Sequence, residues 1–406
     1  VLFQTLDNKD QCIGIYCDGG LIFNAQHFPQ ELDATWSYAP YLRDREIEYA
    51  SLYLEGKNLK DYVPEYLEDD WGDVSSKIRA FNRSLEIAAV DREETCFYDL
   101  VPERFLMDYC EVKNQITQHI LQTIPRPDRY TFHRAIAQMI GDIGSRTVQV
   151  DHAHIRALGK SPQLRGQAET LLSCTPRVDY NAFGTITGRL TTKKKSFPIL
   201  TMNKSFRSAV SPTNDFYVEL DFNGAEIRTL LGLLGHQQPT EDVHEFHLHN
   251  IFTQLSSRDD AKVAFFAWLY GGVNNSATPH SKKLEAYYDK AAVLEKYWVN
   301  GDIITPYKKK IKDVDAHHAL NYLVQSTAAE LTLKQALKLD YVLRTRGSGS
   351  FIAFLVHDAV ILDLKNEDIP LLKILVELMG STNFGKFGVN LKKGKTLGAL
   401  EKYSLG

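Results

Sequence analysis

The sequence predicts a mixed α and β fold, α+β in arrangement, on three observations. Two apolar runs rich in β-branched residues, FYVELDF (216–222) and FIAFLVHDAVILDL (351–364), read as strands. Long stretches between residues 74 and 139 repeat apolar residues at spacings of three and four, the period of an amphipathic helix. Each strand also meets a helix directly: FYVELDF runs into GAEIRTLLGLLG, and NYLVQSTAAELTLKQALKLDYVLRT leads through the turn RGSGS into the second strand.

Along the chain, the opening VLFQ resembles part of a protease cleavage site used in expression tags and is set aside from the fold reading. DQCIGIYCDGGLIFN reads as two short strands around Gly19-Gly20, a hairpin signal. An acidic stretch ending in EYLEDDWGD follows, then three helical segments interrupted by the basic loop PRPDR (125–129), which suggests a helical arm. LRGQAETLLS predicts a further helix before the Gly/Thr-rich segment NAFGTITGRLTTKKKSFP, and residues 241–320 read as mostly helical. No internal repeat or low-complexity tract is present.

At 406 residues the chain can bury two or three sizeable cores. No apolar run approaches the roughly 20 residues that span a bilayer, and no secretory pattern opens the chain. Five cysteines, an odd number with no C-x-x-C pair, argue against a zinc site or a disulfide framework. They fit a reducing, cytoplasmic setting. The formal net charge of -4 leaves any polyanion partner to local basic patches such as Lys193-Lys194-Lys195 and Lys308-Lys309-Lys310. Such runs are more often solvated faces, so composition alone is neutral on nucleic acid.

The chemistry rests on two carboxylates and one helix. Asp221 ends the first strand and Asp358 follows the most apolar part of the second. Paired in one sheet, the two would meet at one edge. Hard carboxylate oxygens suit Mg²⁺, which keeps waters and takes substrate phosphates as further ligands. Two such ions about 4 Å apart activate an attacking hydroxyl and stabilise a leaving group. In RDDAKVAFFAWLYGG, Arg258, Lys262, Phe266 and Tyr270 recur every four residues and form one stripe on a helix. Two cations followed by two rings suit a nucleoside triphosphate, charge for phosphates and a flat surface for sugar and base. The plain alternative is an amphipathic core helix with snorkelling basic residues. For His357-Asp358 it is a strand end emerging into water.

Taken together, these segments resemble the family A, polymerase I-like DNA polymerases. VELDFNGAEIR resembles the family's motif A, RDDAKVAFFAWLYGG its motif B and VHDAV its motif C. TGRL (187–190) and NYLVQSTAAEL match two further motifs in the right order. The resemblance runs from about Tyr180 to Leu397. It implies a right-hand polymerase with an antiparallel-sheet palm, mainly helical fingers and a helical thumb, behind a small N-terminal α/β segment. The expected boundaries are 1–72 for that segment, a remnant or replacement of an exonuclease domain, and 73–150 for the thumb. Residues 151–234 and 321–406 would form the palm, and 235–320 the fingers.

The resemblance also implies roles. Asp221, Asp358 and the backbone carbonyl of Phe222 would hold two Mg²⁺ ions, with Mn²⁺ as a substitute. Arg258, Lys262 and His244 would hold the incoming dNTP, with Lys262 protonating the pyrophosphate. Phe266 and Tyr270 would line the sugar and base pocket, and Gly271 would allow the template to approach. Glu226 would exclude a ribose 2′-OH. Arg189, Thr187, Asn321, Gln325, His357 and Arg228 would contact primer-template DNA. Minor-groove acceptors there are nearly independent of sequence.

Three departures stand out: Ala359 where motif C usually has glutamate, His317 where an arginine is usual, and FNGAE in motif A. Asp91 and Glu93 imitate part of a proofreading site but lack its companions, so no exonuclease is expected. The implied activity is template-directed DNA synthesis by a monomer of compact, phage-like type, with replisome accessory proteins as further partners. A single-subunit RNA polymerase and a catalytically weakened DNA-binding homologue are the alternatives. Glu226 speaks against the first, and Ala359 gives room to the second.

Overall fold

The computed structural model describes residues 1–252, 254–270 and 279–405. The chain divides into two compact units, Val1–Thr147 with Thr175–Ala182 and Lys193–Phe197, and Val148–Cys174 with Phe183–Thr192 and Pro198–Gly406.

In the first unit, β1 (Phe3–Thr5), β2 (Ile15–Cys17) and β3 (Gly20–Ile22) form an antiparallel sheet. Cys17 pairs with Gly20 across the expected hairpin. The opening residues therefore belong to the fold, and Phe3 is fully buried. The long helices are α1 (Glu68–Ile87), α2 (Glu103–Thr123) and α3 (Tyr130–Ser145). Polar contacts over long sequence distances join sheet and helices in one body. Gln4 donates to Asn114 Oδ1 at 2.9 Å, Tyr16 to Glu111 at 2.7 Å, and Tyr38 to Asp142 at 2.6 Å.

One expectation is corrected here. Cys12 and Cys96 form a disulfide, with Cα atoms 5.4 Å apart and a sequence separation of 84. A pair so far apart leaves no local spacing to read. Cys17, Cys110 and Cys174 are free thiols.

The second unit is built on a five-stranded antiparallel sheet. Its strands are β4 (Phe216–Phe222), β5 (Phe351–Val356), β6 (Ala359–Leu364), β7 (Val389–Gly394) and β8 (Glu401–Lys402), in the order β5-β6-β4-β7-β8. The second apolar run is thus two strands, not one. His357-Asp358 is the turn of a hairpin whose arms, FIAFLV and AVILDL, pair Val356 with Ala359. Both arms are apolar and β-branched, so hydrophobicity alone hid the bend. Only the polar pair marked it.

Around the sheet stand α4 (Ala225–Leu233), α5 (Val243–Asn250), α6 (Arg258–Leu269) and the long α7 (Ala316–Thr345). Helices α4 and α7 pack together, and α7 also lies against β5 and β6. Ser257 starts α6 by accepting from the Asp260 N–H, with Asp259 and Asp260 placed where the helix dipole favours acids. Asp315 caps α7 in the same way through the His318 N–H. A hydrophobic core joins Ile227, Leu230, Val243, Phe265, Trp268 and Leu323 from these helices. Three short strands, Trp298–Val299, Asp302–Ile304 and Lys310–Ile311, interrupt the region read as helical. No helix among the described residues is long and apolar enough to cross a membrane.

Candidate active site

Strand β4 delivers Asp221 at its end, and the chain then turns sharply into α4. Gly224 makes that turn at φ +70°, where a Cβ would meet Val243 Cγ1 at 2.4 Å. The turn sets Glu226 in the first turn of α4, one helical step beyond the strand. Opposite, Asp221 pairs with Ala359, so the hairpin turn beside Ala359 holds Asp358 at the same edge. His357 occupies the left-handed region at φ 55°, an uncommon conformation for a residue with a Cβ. The two carboxylates, 137 positions apart by number, are brought to one place as the pairing argument expects.

The electrostatics of this edge are those of crowded acids. Burial pushes the Asp358 carboxyl up to about 6, the Glu226 and Asp221 carboxylates add to the rise, and Arg189 opposes it. Burial also raises Asp221, with Glu219 adding to the rise and Asn390, Lys392 and Lys262 opposing it. Lys262 is exposed on α6, and its charge acts on Asp221.

Glu226 is only 5 % exposed and is held from two sides. Arg189 donates to Oε1, and the Tyr270 hydroxyl donates to Oε2 at 2.5 Å. Burial and the Glu226 carboxylate raise the Tyr270 hydroxyl, while a hydrogen bond with Gln325 works the other way. Phe266 and Tyr270 stack at 5.6 Å and 14°, as expected of side chains four apart on one helix face. His244, 3 % exposed, lies 6.1 Å from the Phe266 ring. Its imidazole is pushed down to about 4 by burial and then by Arg258.

Arg258 is engaged by Asp242 through a two-bond fork, Nε to Oδ1 at 3.0 Å and Nη2 to Oδ2 at 2.8 Å. Burial works to raise the Asp242 carboxyl. Its hydrogen bonds with Arg258 and Asn223 outweigh that and hold it well below the carboxylate range. Beside the hairpin turn a pocket opens, lined by Arg189, Leu200, Thr332, Leu355, His357 and Asp358. His357 is exposed there, and burial, Arg189 and Arg207 together lower its pKa. Asn321 stands one helical turn before Gln325 on α7, with its buried Oδ1 unpartnered among the described residues.

Two residues expected to contact DNA are buried here. Arg228 is 0 % exposed, and its guanidinium donates to the carbonyls of Asn223, Pro239 and Glu241 at 2.7 to 2.8 Å. It holds the loop after α4 together. Thr187 is 5 % exposed and likewise turned away from solvent. Gly271 lies outside the described residues. The sequence reading missed Asn390 and Lys392 of β7 and Glu219 of β4, which flank Asp221. The only signal for them was the alternation of polar and apolar residues in VNLKKG.

The residues at the edge fit a divalent cation. No group of three or more His, Cys, Asp or Glu able to hold a metal is found among the described residues. Mg²⁺ needs fewer protein ligands than that, because water and phosphate oxygens complete its shell. The crowding of Asp358 by Glu226 and Asp221 is a condition that a cation relieves.

The fold is that of a DNA polymerase domain in its general arrangement. The structure is similar to the POL domain of Pol1 from M. smegmatis, solved in complex with DNA primer-template and dNTP. The TM-score is 0.58 at 14% sequence identity, over 73% of this chain and 76% of that one. In sequence the chain is similar to DNA polymerase I of Lactococcus lactis subsp. lactis (strain IL1403), 23% identical over 239 residues. It is equally similar to that of L. lactis subsp. cremoris (strain MG1363). These matches cover 48% of this chain and 27% of each relative, so the chain spans about a quarter of their length. No protein-family model matches. In sequence and fold the chain is DNA polymerase I-like.

Proposed function

We propose that the chain is a template-directed DNA polymerase, which adds dNTPs to a primer 3′-OH and releases pyrophosphate. The observation that carries this reading is the meeting of Asp221 and Asp358 at one sheet edge within reach of the Lys262 charge. Asp221, Asp358 and the Phe222 carbonyl would hold Mg²⁺, which when bound lowers the pKa of the attacking hydroxyl and offsets charge on the departing pyrophosphate.

The protein's own groups do the rest. Lys262, exposed on α6, would neutralise the triphosphate and give a proton to the leaving group. Arg258 joins it once Asp242 shares or releases its guanidinium. Phe266 and Tyr270 offer a stacked flat surface to sugar and base. Glu226, pinned by Arg189 and Tyr270, fills the space that a ribose 2′-OH would need. His357, exposed beside Asp358, and Arg189 face the primer end. Asn321 and Gln325 lie on the α7 face that meets the minor groove. In this reading the α1–α3 arm is the thumb, the five-stranded sheet the palm and residues 235–320 the fingers.

Primer extension on a defined template tests the proposal. The parent should extend with Mg²⁺, and Asp221→Asn and Asp358→Asn should each lose at least ~10³-fold in rate while retaining primer-template binding. A parent that extends no primer with Mg²⁺ or Mn²⁺ would sink it.

A further inference from the structure

Three strands of the sheet set two short rows of side chains beside the candidate catalytic edge. In the first row Ala359, Asp221 and Asn390 stand directly opposite one another on β6, β4 and β7. In the second row stand Ile361, Glu219 and Lys392. Residues two apart on a strand share a face, so Glu219 and Asp221 project to the same side. Directly opposite residues lie within about 5.5 Å at Cβ, close enough for side chains to act on each other.

The contacts follow from that register. Asn390 Nδ2 donates to Asp221 Oδ2 at 3.3 Å, so one carboxylate oxygen is tethered and the other is left for a ligand. Lys392 Nζ pairs with Glu219 Oε1 at 2.6 Å, and the Glu219 side chain is only 11% exposed. On the β6 side, Ala359 offers Asp221 neither donor nor charge. The whole polar environment of Asp221 within the sheet therefore comes from β4 and β7.

We propose that β7 tunes the cation site: Asn390 is a positioning residue that orients the Asp221 carboxylate, and Lys392 sets the strength of the site by balancing Glu219. The inference rests on the reading of Asp221 and Asp358 as cation ligands. A tethered carboxylate loses less freedom when it takes a metal, and partners of this kind typically carry 10- to 100-fold in metal affinity. The Glu219–Lys392 pair is neutral as a whole. Removing its cation leaves a carboxylate beside the site, and removing its anion leaves an ammonium there.

Mn²⁺ binding to the purified chain, followed by electron paramagnetic resonance without DNA, separates these roles. Thermal melts check that each variant folds. Asn390→Ala should weaken Mn²⁺ binding about tenfold with an unchanged melt, since Asn390 is exposed. Lys392→Met should tighten binding and Glu219→Gln should weaken it, each by roughly three- to tenfold. Asn390→Ser, which keeps a hydroxyl donor, should recover part of the loss.

Variants at 390, 392 and 219 that all bind Mn²⁺ within twofold of the parent would overturn the tuning role. If Asp221→Asn and Asp358→Asn also leave binding intact, the cation site itself is refuted. If those two abolish binding while the β7 variants do not, only the present inference falls. A parent that holds no Mn²⁺ at millimolar concentration overturns both.

Discussion

At the scale of single residues, the two most buried charges near the edge do different work. Glu226 is buried but engaged by groups, Arg189 and Tyr270, that stand at the mouth of the site. Glu226→Ala should raise incorporation of rNTPs relative to dNTPs by about tenfold or more, measured in parallel primer extensions. Equal use of both by the parent would remove the gate assignment. Arg228, in contrast, spends its donors on backbone carbonyls. Arg228→Met should cost about 3 kcal/mol or more in a denaturant titration, because it strands several buried acceptors. The salt dependence of primer-template binding should not change, as it would if a phosphate contact were lost. The sequence presents both residues in one short motif, VELDFNGAEIR, and does not distinguish them. Their roles diverge through what surrounds them: a tyrosine and an arginine for one, a loop of carbonyls for the other.

At the scale of elements, the strands and the helix α6 were legible because each carries its own signal. FYVELDF is the strand β4 from end to end, and Arg258, Lys262 and Phe266 lie along α6, with Tyr270 at its C-cap stacked on Phe266. The β5–β6 hairpin was not legible, since both arms are equally apolar and the turn residues are not the usual Asn-Gly or Asp-Gly. Asn390 and Lys392 were out of reach for another reason. Their partners are set by register across β7 and β4, and register is a tertiary property.

The core behind α5 and α6 carries a further consequence. His247 is fully buried against Phe265 and Tyr288, and its imidazole is pushed down to about 3 by burial and then by His244. The folded state refuses a proton that the unfolded chain accepts near pH 6.5. This contribution to stability is therefore present above that pH and is lost as pH falls. The loss amounts to about 2 kcal/mol at pH 5. Unfolding midpoints at pH 7 and pH 5 should differ by less in His247→Gln than in the parent.

At the scale of the whole molecule, the chain holds two compact bodies stabilised by different means. The second relies on its sheet, its helices and their shared core. The first adds a covalent tie across a sequence separation of 84, which no pattern in the sequence announced. Chain-entropy arguments put such a link at about 4 to 5 kcal/mol relative to the open chain. Reductant should lower the unfolding midpoint of the first body and raise the count of labelled thiols from three to all five cysteines. A midpoint indifferent to reductant would show that the tie contributes nothing.

The hairpin turn carries a different consequence, one for the choice of ion. Asp221 sits between two paired neighbours, while Asp358 rides on a bend outside the ladder. One jaw of the vice is bolted and the other is set on a spring. On the polymerase reading, ions of unequal radius would be accommodated at the bend and not at the strand. The side chain that would register the change is His357, next to Asp358 and open to solvent.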